Sequence, residues 1–457
     1  MSADGPDLVV AGAGGGLAAA LRGAELGLDV LVVEASEQFR RGNNTSMSTA
    51  MIPGAGSRFQ AEAGIEDSAR RFHDDIMAKT KGSADAFLAA TLATVSAPLV
   101  EWLHDYVELP IELVTDFQYP GHSRLRCHTI PGRHGSGLLD FLVQRVREDD
   151  RIDLLTPARL VDVRTGDNGV TAAVVEDPSG RREEIPAPAV LLATNGFGAD
   201  PELVRRYLPE IADAVYHGSE TSRGDALAIG GRLDAATAFL DAYQGHGALA
   251  ARGATLVGWA TVMLGGIIVD TDGHRFGDET TGYSEYAATI ATRPGATAWI
   301  VLDKHIHDAC LVFTDFRQTV DSGALVWADT ATELARRIDV PAEYLVEEVE
   351  AHARAASTDE PDRFGRTTAR ELNGPLAAVR VVPALFHTQG GLVVDEHARV
   401  LTRAGSAIEG LYAAGGAAAG ISGHGAAGYL AGNGLLPALG LSYLAAEHIA
   451  AHHAARH

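Results

Sequence analysis

Cysteine is nearly absent. The 457 residues include two, Cys127 and Cys310, and no C-x-x-C. That excludes a disulfide scaffold, a Cys-rich metal site and a thioredoxin-like dithiol centre. Basic residues are also scarce. The chain has 37 Lys and Arg against 60 Asp and Glu, a formal net charge of −23. A nucleic-acid footprint needs clustered Lys and Arg, so nucleic acid is not an expected partner. Long apolar runs are missing. The most apolar early stretch, residues 8–21, is broken by glycines and too short to span a bilayer. Asp4 and Asp7 precede the first basic residue, Arg22, unlike the charged front of a secretory signal. No membrane span is therefore expected, and the cytoplasm is the expected location. No internal repeat or low-complexity segment stands out.

Glycine is in excess. There are 51, about 11% against a usual figure of about 7%. They cluster beside apolar runs at 12–16, 265–266, 390–391 and 415–434, where backbone must approach something closely. The length predicts two or three domains.

Residues 7–34 carry the clearest local pattern. DLVVA reads as a buried strand, GAGGG at 12–16 as a turn, LAAALRGAELG as a helix and LDVLVVE as a second strand ending in Glu34. This is a β-α-β unit with a Gly-rich turn between strand and helix. Backbone N–H groups at the start of such a helix hold a pyrophosphate, and glycine lets the chain approach it. An acid ending the second strand accepts hydrogen bonds from a ribose, and Glu34 lies 22 residues after Gly12. The turn departs from G-x-G-x-x-G: Leu17 stands at the third glycine place, with Gly16 one residue early.

Residues 57–150 read as mainly helical, interrupted by a polar loop at 119–135. Residues 153–193 read as short strands, with turns at 166–169 and 179–180. His305 and His307 read as a solvated strand or loop, and the histidines of the C-terminal run as a solvated helix end. No metal site is expected.

Six patches in order carry a wider resemblance: the β-α-β unit, GNNTSMSTAMIPGAG at 42–56, VLLATNGFG at 190–198, RGDALAIG at 223–230, HTQGGLVVD at 387–395, and GLYAAGG followed by GYLAGNGLL at 410–436. The chain resembles, over nearly its whole length, the flavoprotein family of fumarate reductase, succinate dehydrogenase and 3-ketosteroid dehydrogenase. The resemblance implies an α/β fold: a discontinuous Rossmann-type FAD domain (residues 1–240 and 387–457) with an inserted α+β capping domain at 241–386. It implies FAD at the Gly-rich turn, with Gly12, Gly14 and Gly16 at the pyrophosphate and Glu34, with Ala35, at the ribose. Asn44, Thr45 and Ser46 would run past the flavin. Membrane-bound relatives attach the flavin through a His in that loop. Asn43 and Asn44 stand nearby here, so noncovalent FAD is expected. Thr194, Gly196, Asp225, His387, Gly415, Gly416, Gly432, Asn433, Leu435 and Leu436 complete the implied cofactor site. The last helix would point its N-terminus at the pyrimidine edge of the flavin.

The same resemblance bears on the substrate. Dicarboxylate-acting relatives carry two substrate arginines and a substrate histidine. The matching places here hold Gly282, Tyr429 and Phe386. A dicarboxylate needs fixed positive charge. Arg124, Arg126 and Arg133 in the polar loop are the remaining sources of it, and a fumarate- or tricarballylate-type enzyme using them is one alternative. Glu279-Thr-Thr-Gly-Tyr283, Tyr429, Pro437-Ala438 and Tyr443-Leu-Ala-Ala446 are similar to the ketosteroid dehydrogenase pattern. That branch implies dehydrogenation, or the reverse reduction, of a carbon–carbon bond beside a carbonyl in a largely neutral ketone. Tyr283 would exchange the proton, Tyr429 would polarise the carbonyl, and His424 and Tyr119 would border the site. A second alternative is a flavin-binding protein without catalysis. No second dinucleotide turn is evident, so the electron partner stays open.

Overall fold

The computed structural model describes residues 5–358, 360–367 and 370–454. The ends of the N-terminal segment and of the His-bearing C-terminal run lie outside the described residues.

The first sheet has six strands, in the order Arg399–Leu401, Ala407–Ala413, Val190–Leu192, Leu8–Ala11, Val30–Val33 and Ile152–Leu155. All neighbours are parallel except the edge pair 399–401 with 407–413. Leu8–Ala11 and Val30–Val33 are buried at every residue. This is why they read as continuous apolar runs: both faces of a parallel sheet are covered. The helix Gly16–Glu25 covers one face and packs on the last helix, Leu435–Ala454.

That packing settles the irregular Gly-rich turn. The helix begins at Gly16. A Cβ there would lie 2.6 Å from Val10 Cγ1, and one on Gly15 would lie 2.6 Å from Ala438 Cβ. Gly16 thus makes the close helix–strand approach even though it comes one residue early. Gly12 has φ +115°, and a Cβ on it would fall 2.3 Å from the Ala193 carbonyl oxygen.

The second sheet is built around Leu376–Thr388, which pairs with Val215–Tyr216, Tyr243–Ala250, Ala298–Asp303 and Leu325–Ala328. Its strands therefore extend past both ends of the 241–386 segment. One unbroken strand carries the sheet core at one end and Phe386, His387 and Thr388 at the other. An internal ion cluster ties this region together. Glu279 is fully buried and accepts from Arg275 and Arg366 side chains and from the Ile268 N–H. His305 and His307 lie on one short helix, Lys304–Cys310, rather than on a strand or loop.

The helix Ala86–Asp105 is long and apolar enough to cross a membrane by length and composition, with 56% of that window buried inside the protein. It packs on Ala69–Lys79 and on the last helix. Among the described residues no group of three His, Cys, Asp or Glu is placed to hold a metal ion.

Candidate active site

A long cleft runs between the two sheets. At one end lie Gly12, Gly14, Gly15, Glu34, Ala35, Asn43, Asn44, Thr45, Thr194 and Asp225. At the other lie Tyr119, Tyr283, Tyr429, Trp259, Phe313, Phe316, Phe386, His217 and His246. His387, Gly415, Gly416, Gly432, Asn433 and Leu435 also line it.

Glu34 is buried. Its carboxylate accepts from Ala13 N–H and Ser36 N–H, each at 2.8 Å. Burial raises its pKa, and those N–H groups oppose the rise. Asn44 donates to the Phe386 carbonyl at 2.9 Å and accepts from Ser219 N–H at 2.8 Å, joining its loop to both other walls. Asn195, at the place of a family glycine, has φ +64°. Asn tolerates this left-handed conformation better than most residues.

Thr194 Oγ1 and Asn433 Oδ1 are buried without a partner in the protein, and both residues line the cleft. Buried polar groups are normally paired. These two, with the glycine cradle and the acid at the strand end, fit a dinucleotide that brings hydroxyls, phosphates and a ring edge. A polar relay runs from Asn433 through Ser422 and Gln389 to His387, at 3.1, 2.8 and 3.1 Å. Neither Gln389 nor Ser422 was read from the sequence as a site residue. The relay depends on side chains meeting across the fold and leaves no local spacing signal.

Four expected cofactor residues stand outside the lining. Gly16 packs on the first strand. Ser46 is buried, with its hydroxyl on the Asn43 carbonyl. A Cβ on Gly196 would lie 1.8 Å from Thr388 Oγ1. Leu436 is in the core. These four residues shape the cleft from behind its lining. His424 is set apart from the cleft. It lies outside the cleft with its side chain 61% exposed, paired with Asp241 at 2.9 Å and set edge-on to Phe239. The positive-φ glycines on either side of it, Gly423 and Gly425, turn it outward.

The aromatic end is continuous. His217 stacks near Phe386, with ring centroids 5.1 Å apart, and Phe386 lies 5.1 Å from His246. His246 lies 4.8 Å from Tyr283, which meets Tyr429 edge-on at 5.7 Å. Tyr429 meets His387 at 5.9 Å. Gly434 sits between the last two: a Cβ there would be 2.9 Å from His387 Nε2 and 3.5 Å from the Tyr429 hydroxyl. Burial pushes Tyr283 well above its ordinary pKa, with Tyr429 and Tyr119 adding to it. Burial likewise raises Tyr119 and Tyr429, the latter opposed by the Gly434 N–H and by Tyr283. Burial lowers His387 to about 4 and His246 to about 3. All these groups are neutral at pH 7.

None of the three loop arginines lines the cleft. Arg126 is fully buried between Asp67 and Asp75. Arg133 pairs with Asp116 and lies over Phe313. Arg124 is exposed and donates to the Ser123 carbonyl. Among the described residues, Arg159 is the one Lys or Arg in the lining, and it is bound to Asp225 at 2.6 Å beside the nucleotide end.

This fold and cleft define a flavin-dependent redox enzyme. The chain belongs to the FAD binding domain family, whose model matches residues 7–435. It is an FAD-dependent oxidoreductase. A probable fumarate reductase of Shewanella frigidimarina (strain NCIMB 400) is 28% identical over 428 residues, covering 92% of this chain and 71% of that protein. The open conformation of a flavocytochrome c3 fumarate reductase matches with TM-score 0.79 and 26% identity, covering 98% of this chain and 79% of that one. The 3-ketosteroid delta1-dehydrogenase of Sterolibacterium denitrificans, in complex with 1,4-androstadiene-3,17-dione, shares the fold at TM-score 0.76 and 22% identity, covering 98% and 100%. The chain is thus a member of the FAD binding domain family that is similar in sequence to fumarate reductases and shares its fold with a ketosteroid dehydrogenase.

Proposed function

We propose that the enzyme exchanges hydrogen across a carbon–carbon bond next to a carbonyl in a largely neutral ketone. One observation carries this reading: three tyrosines converge at the aromatic end of the cleft, whose lining there includes no lysine or arginine among the described residues. FAD, bound noncovalently and held by Gly12, Gly14, Glu34, Thr194 and Asn433, supplies the hydride carrier. The segment 241–386 forms the lid side of the cleft.

The residues divide the remaining work. The Tyr429 hydroxyl, which accepts the Gly434 N–H, donates to the substrate carbonyl oxygen and stabilises charge that develops there. Tyr283 holds the proton exchanged at the carbon next to that carbonyl. In its protonated resting form it is an acid and serves reduction of an enone directly. Dehydrogenation requires it first to give up that proton; its hydrogen-bonded neighbour is Tyr429, with Tyr119 a further hydroxyl in the same lining. His387 and His246, being neutral, wall the site without competing for the proton.

The names of sequence relatives favour a second reading, reduction of fumarate. With no Lys or Arg among the described residues that line the aromatic end, two substrate carboxylates would be desolvated without a direct partner, which is costly. Anaerobic titration with saturated cyclic ketones and with succinate discriminates the two. Loss of the flavin's visible absorbance with a ketone, abolished in Tyr283→Phe while FAD stays bound, is the expected result. Bleaching by succinate alone would overturn the proposal. Tight FAD with no bleaching by any candidate would favour a noncatalytic flavoprotein.

A further inference from the structure

Asp315 lies in the aromatic end of the cleft, with its side chain 13% exposed. It stands on the first turn of the helix Thr314–Asp321. Thr314 fixes that turn: its N–H and its hydroxyl both bond the Gly132 carbonyl of the polar loop, at 3.4 and 2.9 Å. The two carboxylate oxygens differ. Oδ1 is 3.3 Å from His134 Nε2. His134 Nδ1 accepts the Ser136 N–H at 3.1 Å, which leaves the ring proton on Nε2 for Asp315. Oδ2 is buried and has no partner in the protein. The charge of Asp315 also reaches His217, where it opposes the effect of burial on that ring. Phe313 and Phe316 flank it, and both line the cleft. Glu34, Arg159 and Asp225 belong to the nucleotide end. Among the described residues Asp315 is therefore the one Asp, Glu, Lys or Arg in the lining of the aromatic end.

We propose that Asp315 is a specificity residue: its free oxygen accepts a hydrogen bond from a hydroxyl or ammonium on the substrate, remote from the reacting carbonyl, and its charge rejects carboxylated substrates. The assignment rests on the function proposed above. A buried acceptor left unpaired is costly, and a donor that meets it is selected over an isostere that lacks one. A second anion in the same pocket meets like-charge repulsion, and among the described residues no Lys or Arg lines that end to offset it. The preferred substrate is amphiphilic: an apolar body, a carbonyl at the tyrosine end and a donor at the Asp315 end.

The test uses the FAD-loaded protein and four cyclohexanones substituted at C4: methyl, hydroxymethyl, aminomethyl and carboxylate. Binding is read from the perturbation of the oxidised flavin spectrum and turnover from anaerobic bleaching, so recognition and reaction are scored separately. The wild type should bind the hydroxymethyl or aminomethyl ketone about tenfold or more tighter than the methyl one, and the carboxylate weakest of all. Asp315→Ala should erase the donor preference and admit the carboxylate. Asp315→Asn, closer in shape, should keep part of a hydroxyl preference but lose an ammonium preference, which tells the two donors apart. A donor preference that survives in Asp315→Ala, or equal binding of all four ketones by the wild type, would overturn the assignment. Binding with this pattern but no bleaching would leave Asp315 its role and remove the proposed reaction instead.

Discussion

Tyr283 is subject to two effects of the same sign. Burial disfavours its phenolate, and two neighbouring hydroxyls offer no positive charge to stabilise one. Its pKa is therefore raised above an unperturbed value of about 10. The direction of reaction and the pH profile follow. Flavin reduction by a saturated ketone, if limited by proton removal, should climb about tenfold per pH unit from 7 to 9 without a plateau, because the phenolate fraction rises that way below the pKa. Enone reduction by the reduced enzyme should be flat over the same range. Neither direction should show a step near pH 6.5, since His387 and His246 have already lost their protons well below it. Stopped-flow half-reactions from about pH 5.5 to 9 check both. Tyr283→Phe removes the exchanged proton altogether and should slow either half-reaction by about 10²–10⁴-fold, with FAD content unchanged.

The glycines of the turn sort by what an added methyl would strike. At Gly12 it meets the fixed Ala193 carbonyl in a positive-φ conformation, and at Gly15 the Ala438 Cβ and backbone. At Gly14 the nearest atom is Thr45 Oγ1 at 2.9 Å, the end of a side chain that can turn away. Gly15→Ala should force the first and last helices apart and destabilise by about 1–3 kcal/mol, whereas Gly14→Ala should cost clearly less. Thermal denaturation of the two variants with FAD bound checks the order. The β-α-β unit was legible because its determinants are local: apolar runs of strand length, glycines between them and an acid at a fixed distance. Tyr283 and Tyr429 were legible only through family patterns, and the structure brings both to the cleft. His424 was legible as a type but not as a direction, because two flanking positive-φ turns decide where it points. Asp315 left no trace in the sequence. Its neighbours come from the 130–136 loop and from 217, far along the chain, and only tertiary packing brings it into the lining among the rings.

The whole molecule encloses histidines at several separate places. His122, His128, His246 and His352 are buried. Burial holds His122, His128 and His352 down at about 4 and His246 at about 3. In the unfolded chain each would titrate near 6.5. A group whose folded pKa is depressed binds more protons when unfolded, so between about pH 6.5 and 4 stability must rise with pH. Read downward, each histidine removes up to about 1.4 kcal/mol per pH unit through that window. The Asp67 carboxylate, held below its usual range by Arg126 against the opposing effect of burial, adds loss of the same sign at the acid end. The four sites fall in three regions: His122 and His128 share the 119–135 segment, the latter against Ser57, His246 is in the cleft wall and His352 is against the Gly265 carbonyl. Their protonation therefore opposes folding in three regions at once instead of loosening one element. The melting temperature should hold from pH 8 to about 6.5 and then fall steeply, with flavin release and loss of secondary structure coinciding. His352→Gln keeps a donor for the Gly265 carbonyl and removes one titration, so its melting temperature should fall less between pH 6.5 and 5 than the wild type's. A parallel fall in both proteins would show that buried histidines do not set the acid limit.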